Sequence, residues 1–300
     1  MNILIVGQAE HQYTRLKEEG EKRGHEVDNC NTRELIITAD QNTFDVQLKK
    51  HNISGYDVLY LLTLGDRKWD WFLAAQYLHK KFGTIIVNEK VVDSSYSYFL
   101  TSATDYWKQS DLHLPFPKSA VIFSKASVKE IAGDFHFPVI VKHSGSRKGK
   151  GVFKVNSEEE LEAFVEEHKE LTPAFIVREL IPNDGDVRVF CVGYKAIGAM
   201  KRTPHEGDFR SNISQGGIGE RFDLEANPDV RDIAQQAAEA TRTEIAGVDI
   251  MINKETGEPY ILEINNGPQF VGLEEYTDTN AAEEIIKYFE QKHVEKNAVS

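Results

Sequence analysis

Ala246-Gly-Val-Asp-Ile250, then Lys254-Glu-Thr-Gly257, then Ile261-Leu-Glu-Ile-Asn-Asn266 is the stretch whose reading decides the fold. Two apolar runs, 248–252 and 260–264, flank a polar turn containing glycine, the pattern of an antiparallel hairpin. Side chains alternate across a strand, so Glu263 and Asn265 share one face about 7 Å apart, and Asp249 on the partner strand can meet them. Two carboxylates and an amide oxygen form a hard-oxygen donor set that suits Mg2+, which keeps its other positions for water and phosphate. Apolar neighbours on both sides argue for a covered sheet, against three polar residues that are merely solvated.

Working outward, Phe137-Pro-Val-Ile-Val-Lys142 ends a buried strand in lysine and runs into His143-Ser-Gly-Ser-Arg-Lys-Gly-Lys-Gly151. Glycine lets backbone N–H groups come close to phosphate oxygens, so Ser144, Gly145, Gly149 and Gly151 are candidate phosphate contacts and Lys142 a point charge beside them. The spacing is not that of a Walker loop, and a solvated hairpin loop would read the same way. Phe175-Ile-Val-Arg-Glu179 is an apolar strand ending in a carboxylate. Backbone groups after Glu179, from Leu180 on, suit an adenine edge; an edge strand with a solvated glutamate fits as well. In Asp186-Val-Arg188, alternation sets Asp186 and Arg188 on the face opposite Val187, Val189 and Cys191, as a surface ion pair or a pocket wall. Arg202 follows on the next strand. Gly207-Asp-Phe-Arg-Ser-Asn212, with Gly216-Gly217 after it, offers Arg210, Ser211 and Asn212, and arginine suits bidentate capture of carboxylate or phosphate.

The chain opens with Asn2-Ile-Leu-Ile-Val-Gly7, a buried parallel strand by its composition. Further strands are expected at 58–64 and 84–87, with a helix over 70–82 carrying Trp71, Phe72, Ala75, Leu78 and Phe82 at helical spacing and stopped by Gly83. Strand–helix–strand alternation predicts an open α/β domain over residues 1–88. The absence of GxGxxG argues against a dinucleotide enzyme. After a helical stretch to about 113 and the break at Leu114-Pro-Phe-Pro117, the texture becomes α+β. Strands are expected at 138–142, 152–155, 175–180, 187–192 and 196–202, a capping box at Ser157 and Glu160, and a helix starting at Asn227-Pro228. The expected division is 89–290 as a second domain, with subdomains of about 118–182 and 183–290. A final helix, 281–290, precedes a flexible tail at 291–300.

The 300 residues carry a net charge of −13, which disfavours nonspecific binding to nucleic acid or anionic membranes. Cys30 and Cys191 have no metal-type spacing and read as buried free thiols. With no disulfide framework, no signal-type segment and no long apolar span, a soluble cytoplasmic protein is expected.

These motifs, in this order, resemble the ATP-grasp superfamily, and within it the RimK-like α-L-glutamate ligases, which add glutamate to a ribosomal protein C-terminus. The resemblance covers nearly all the chain after about residue 84 and, more loosely, the opening domain. It implies a pre-ATP-grasp α/β domain followed by a two-subdomain ATP-grasp fold. It also implies ATP with Mg2+, or alternatively Mn2+, and ligation of a carboxylate to an amine through an acylphosphate. Carried over residue by residue, Lys142, Glu179, Leu180 and Asp186 match nucleotide-contacting positions. Arg210, Ser211 and Asn212 match the loop that holds phosphate and reacting groups; Asp249, Glu263 and Asn265 match metal ligands. Arg188 and Arg202 match arginines near the acyl group or acceptor, and together with Arg210 they are the catalytic candidates. The expected partners are an amino acid and a peptide, protein-tail or small-molecule acceptor, on a monomer or homo-oligomer. Two departures stand out. The family's Asp-Lys pair is replaced by Tyr98 and Phe99, and its Asn-x-Ser-Pro-Gly turn is here Asn265-Asn-Gly-Pro-Gln269. A small-peptide ligase and a degenerate ATP-binding regulatory protein are the rival expectations.

Overall fold

The computed structural model describes residues 1–49, 52–93, 101–144, 151–203 and 218–299. The chain begins with β1 (Asn2–Gly7), α1 (Glu10–Lys22), β2 (Glu26–Cys30), β3 (Leu35–Ala39), β4 (Phe44–Leu48), β5 (Val58–Thr63), α2 (Lys68–Phe82) and β6 (Ile85–Val87). A parallel sheet forms in the order β2-β1-β5-β6, while β3 and β4, among the described residues, pair only with each other. Ile3 and Ile5 point into one core with Leu16, Ile285 and Phe289; Leu4 and Val6 point into another with Trp71, Ala75 and Leu78. Both faces are covered, which is why β1 is apolar at every interior position instead of alternating. Gly83, at φ 68°, ends α2 by donating its N–H to the His79 carbonyl at 2.9 Å.

A second, antiparallel sheet follows α3 (Thr101–Asp111). It is built from β7 (Ser119–Ile122), α4 (Ala126–Ile131), β8 (Val139–His143), β9 (Val152–Val155), α5 (Glu158–His168) and β10 (Phe175–Glu179), with strand order β7-β10-β8-β9. Val128 of α4 and Leu161 and Val165 of α5 pack on Val139, Val141 and Val177. Half of the expected capping box is present. Ser157 Oγ accepts the Glu160 N–H at 3.2 Å, but the Glu160 carboxylate accepts the Asn156 N–H at 2.8 Å, one residue before the cap.

The third sheet contains β11 (Asp186–Val192), β12 (Lys195–Thr203), β13 (Ile218–Arg221), α6 (Pro228–Ala240), β14 (Ile245–Ile252) and β15 (Pro259–Asn265), followed by α7 (Val271–Tyr276) and α8 (Ala281–Val299). The order is β13-β12-β11-β14-β15, all antiparallel. Val230, Ala234, Ala237 and Ala238 of α6 cover Val187, Val189, Cys191, Ala246 and Val248; on the opposite face Phe190, Val192 and Ile245 pack with α8, and Asp186, Arg188 and Asp249 make up the polar part. Asn227 does not cap α6 with its side chain, which instead donates to the Asp223 carbonyl at 2.7 Å. Cys30 and Cys191 are buried free thiols, and burial pushes both pKa values up to about 12.

The expectation of a tail after residue 290 is corrected: α8 continues to Val299. The reason is Lys292, whose ammonium lies 2.8 Å from Glu244 and 3.2 Å from Glu89. Ile285, Ile286 and Phe289 of α8 share a core with Ile3 and Ile5, so residues 1–88 do not close their sheet alone. Among the described residues, no helix is long and apolar enough to cross a membrane.

Candidate active site

The polar face of the third sheet is assembled by register. On β11, Asp186 lies opposite Arg202 of β12, and Arg188 lies opposite Asp249 of β14, which itself lies opposite Glu263 of β15. Alternation thus brings six charged or amide side chains from four strands to one surface. Arg188 grips Asp249 with both Nε and a terminal nitrogen at 2.7 Å, the bidentate arrangement that arginine favours. Arg202 is bidentate to Asp186 and also reaches Asp249 at 3.0 Å. Asn265 donates Nδ2 to Asp249 at 3.2 Å and to the Gly247 carbonyl at 3.3 Å.

Depth varies across this surface. The side chains of Asp186 and Arg202 are 3% and 4% exposed, Asp249 10%, Arg188 17% and Glu263 49%. Burial pushes the Asp249 carboxyl up, but Arg188 and Arg202 outweigh it and hold the pKa down at about 2. Arg202 therefore sits beneath the surface, with Asp186 as its bidentate counter-ion and Asp249 at 3.0 Å.

The second sheet closes over this surface. Lys142, near the end of β8, reaches Glu263 of β15 at 3.1 Å. The next residue, His143, points the other way among Phe153, Phe164, Phe175 and His168, so alternation fixes the direction of Lys142. At the root of the glycine loop, Ser144 donates its N–H to the Ala174 carbonyl at 2.9 Å, and Gly151, at φ 85°, accepts the His143 N–H at 3.0 Å. The backbone amide of Ser144 is thus already engaged. Glu179 ends β10 exposed, its N–H bonded to the Lys118 carbonyl at 2.9 Å, with Leu180 half-buried after it. Gly145, Gly149, Arg210, Ser211 and Asn212 lie outside the described residues, as do Tyr98 and Phe99.

The donor chemistry of Asp249, Glu263 and Asn265 fits Mg2+: all three side chains offer hard oxygens on one surface. Glu263 holds only Lys142 among the described contacts, whereas Asp249 already accepts four hydrogen bonds, from Arg188 twice, Arg202 and Asn265. Asp249 can ligate a cation only by releasing one of these donors.

Sequence reasoning missed Asn88 and Lys90, which hold the turn after Asn265. Asn88 Nδ2 donates to the Asn266 carbonyl at 2.8 Å, and the buried Lys90 ammonium bonds to Asn266 Oδ1 and, at 2.8 Å, to Thr243 Oγ1. No local pattern announces a contact spanning more than 170 residues.

A parallel sheet followed by two antiparallel sheets, facing each other across a lysine–glutamate bridge, is the arrangement of the ATP-grasp class of ligases. Residues 106–289 match the RimK-like ATP-grasp domain and residues 1–61 the RimK PreATP-grasp domain. The chain belongs to the RimK-like ATP-grasp family. A protein called probable alpha-L-glutamate ligase from Shewanella loihica is 30% identical over 298 residues, covering 97% of this chain and 96% of that one. The fold is shared with the RimK domain protein ATP-grasp from Sphaerobacter thermophilus (TM-score 0.70, 17% identity, 96% and 99% covered). It is shared also with the ATP-grasp ligase PsnB complexed with minimal precursor, Mg and ADP (TM-score 0.68, 18% identity, 97% of each chain covered).

Proposed function

We propose that the protein is an ADP-forming acid–amino-acid ligase that joins an amino acid such as glutamate to a peptide, protein-tail or small-molecule acceptor. The observation that carries this reading is the Lys142–Glu263 bridge across two sheets, next to the Arg188–Asp249 pair. It supports reading the space between the two sheets as the place where phosphate and carboxylate chemistry meet. The names of the relatives and the precursor-bound state of PsnB support the same class of substrates.

A substrate carboxylate attacks the γ-phosphorus of ATP, and the bond to ADP breaks. The acylphosphate then meets the amine, an amide forms, and phosphate and a proton leave. The chain's task is positioning and charge neutralisation rather than covalent catalysis. Lys142 transfers its charge from Glu263 to the phosphates when ATP enters. Arg188 faces the transferring group, and Arg202 and Asp186 act as positioning residues that hold Arg188 and Asp249 in register. Arg210, Ser211 and Asn212 are assigned to the same group by motif, and Glu179 and Leu180 to the adenine side. Asp249, Glu263 and Asn265 would hold Mg2+, which would supply charge neutralisation for the phosphates. We assign residues 89–290 to this two-part catalytic domain, with 1–88 contributing to substrate choice.

The test is ADP release from Mg-ATP with a panel of amino acids, each with and without peptide acceptors, read together with product mass. Release that requires one amino acid and one acceptor, with a mass gain of one residue, supports the proposal. Silence across the panel with intact binding of a non-hydrolysable ATP analogue favours a degenerate nucleotide-binding protein.

A further inference from the structure

The second sheet turns its two faces to different neighbours. Val139, Val141 and Val177 point into its own core with α4 and α5. Lys142 points the other way, to Glu263 on the third sheet. Register carries that direction to further residues. Ile176 of β10 lies opposite Lys142 of β8, and Arg178 lies opposite Ile140 of β8 and Ser119 of β7. Directly opposed residues of an antiparallel pair share a face, so Arg178, Ile140 and Ile176 lie on the face that Lys142 turns toward the third sheet. Arg178 and Lys142 are diagonal neighbours there, about 7–8 Å apart along the backbone. Half-buried Ile140 and buried Ile176 accompany them and take no part in the core of Val139 and Val177.

Arg178 is held in place without being neutralised. Its Nη2 donates to the Tyr106 hydroxyl of α3 at 2.6 Å, and the guanidinium lies 5.9 Å from the centroid of that ring. Nε is buried and has no partner, while Nη1 has no partner among the described residues and is open to solvent. Every other described arginine except Arg33 meets a carboxylate. Arg33 is exposed, so water carries its charge, whereas Arg178 is half-buried. Asp105, beside Tyr106 on α3, acts on Lys90, and Glu179 points to the opposite face by alternation. A cation drawn partly out of water without a counter-charge is costly, and an arriving anion offsets that cost. In a chain of net charge −13, an arginine left uncompensated on this face marks a place for an anion.

The mooring of Arg178 fixes which end of the site it serves. Tyr106 stacks on Phe116, with ring centroids 5.3 Å apart and 16° between the planes, and Phe116 packs against the core of the third sheet. The guanidinium is therefore fastened where the second and third sheets join. Glu179 and Leu180, assigned above to the adenine side, follow it directly in the chain. Lys142 stands one diagonal step farther from that end.

We propose that Arg178 is the cation for the phosphate nearest the nucleoside of ATP, with Lys142 taking the phosphates beyond it and Tyr106 as the positioning residue that aims the guanidinium. The assignment rests on reading the space between the two sheets as an ATP site, and its test separates it from the ligase reading. Full-length wild type, Arg178→Gln and Arg178→Lys are titrated calorimetrically, in Mg2+, with a non-hydrolysable ATP analogue, AMP and adenosine. The wild type is expected to bind AMP more tightly than adenosine. Arg178→Gln is expected to weaken the analogue and AMP alike, by about tenfold or more, and to leave adenosine within about twofold, because only a charge-assisted hydrogen bond to phosphate is lost. Arg178→Lys is expected to recover phosphate binding to within about fivefold of wild type, since the charge is restored without the planar fork. AMP bound no better than adenosine by the wild type, or equal losses of AMP and adenosine in Arg178→Gln, overturns the assignment. So does a loss that Arg178→Lys repeats in full, which marks a packing role beside Tyr106. A loss confined to the analogue, with AMP unchanged, places Arg178 farther along the phosphates and overturns it too. Arg178-dependent AMP binding without ADP release for any substrate pair sinks the ligase reading and leaves the assignment standing. ADP release with an unchanged KM for ATP in Arg178→Gln removes the assignment alone.

Discussion

Glu244, just before β14, and Asp249, in the middle of it, are both buried acids with several donors, yet their surroundings differ in kind. Glu244 accepts the Glu89 N–H at 2.6 Å, the Tyr288 hydroxyl at 2.7 Å and the Lys292 ammonium at 2.8 Å. Burial dominates and pushes its pKa up. Its network ends on Tyr194, Arg242 and Lys292 around Glu89, tying β14 to the first sheet and to α8. Asp249 sits between two arginines, and its network continues past Glu263 to Lys142 on another sheet. The closed network fastens elements together; the open one has partners that can be exchanged, which a reaction site needs.

The largest expected effect breaks both properties at once. Asp249→Ala leaves two arginines without their shared counter-charge, and loss of one partner of a buried pair costs about 3–5 kcal/mol. Urea unfolding is expected to show that loss, together with undetectable ADP release. An unchanged midpoint would mean that the arginines find another anion. Glu263→Gln comes next and separates the properties: turnover is expected to fall at least ~100-fold, while stability stays within about 0.5 kcal/mol because the side chain is half exposed. Wild-type turnover in this variant would remove Glu263 from the site. Glu244→Gln is the mirror image, with about 1–3 kcal/mol of stability lost from an unsatisfied buried network and kcat within about threefold. A collapse of kcat at full stability would show that the closed network is also catalytic.

The smallest effect is on pH dependence. Asp249 titrates near 2 when folded and at its ordinary 3.8 when unfolded, so the unfolded chain binds the proton first. Its stabilisation is complete above about pH 4 and is lost as pH falls toward 2. The raised pKa of Glu244 acts oppositely: the folded state takes up the proton more readily, and that group's contribution falls as pH rises through its folded value. Urea midpoints from pH 6 to pH 3 should therefore fall less in Asp249→Asn than in wild type. A parallel fall would remove Asp249 from the acid response.

Much of this was legible in the sequence because it is local. The hairpin of β14 and β15, the strand ending at Lys142 and the helix stop at Gly83 follow from alternation, apolar runs and glycine placement. Asp186 and Arg188 share a face because a strand has period two, but which cation meets which acid depends on register between strands. The Arg202–Asp186 pair and the Lys142–Glu263 bridge were therefore invisible. β2, Glu26-Val-Asp-Asn-Cys30, is too polar to announce itself and is a strand because β1 pairs with it. In β3, Ile36 and Ile37 stay substantially exposed, so an apolar run there did not mean a core. The length of α8 was hidden because Lys292 reads as solvated until Glu244 is placed beside it.

The packing of α8 on the first sheet also has a consequence for protein synthesis. Ile285 and Phe289 leave the ribosome roughly 200 residues after β6, and until then the face of the β1 sheet that carries Ile3 and Ile5 lacks α8 and is covered only in part, by Leu16 of α1. At the usual ~5–20 residues per second, that apolar face waits roughly 10–40 s on the nascent chain. The opening segment is thus a natural client for a holding chaperone during translation, and a ribosome stalled before residue 281 would release a chain prone to aggregate.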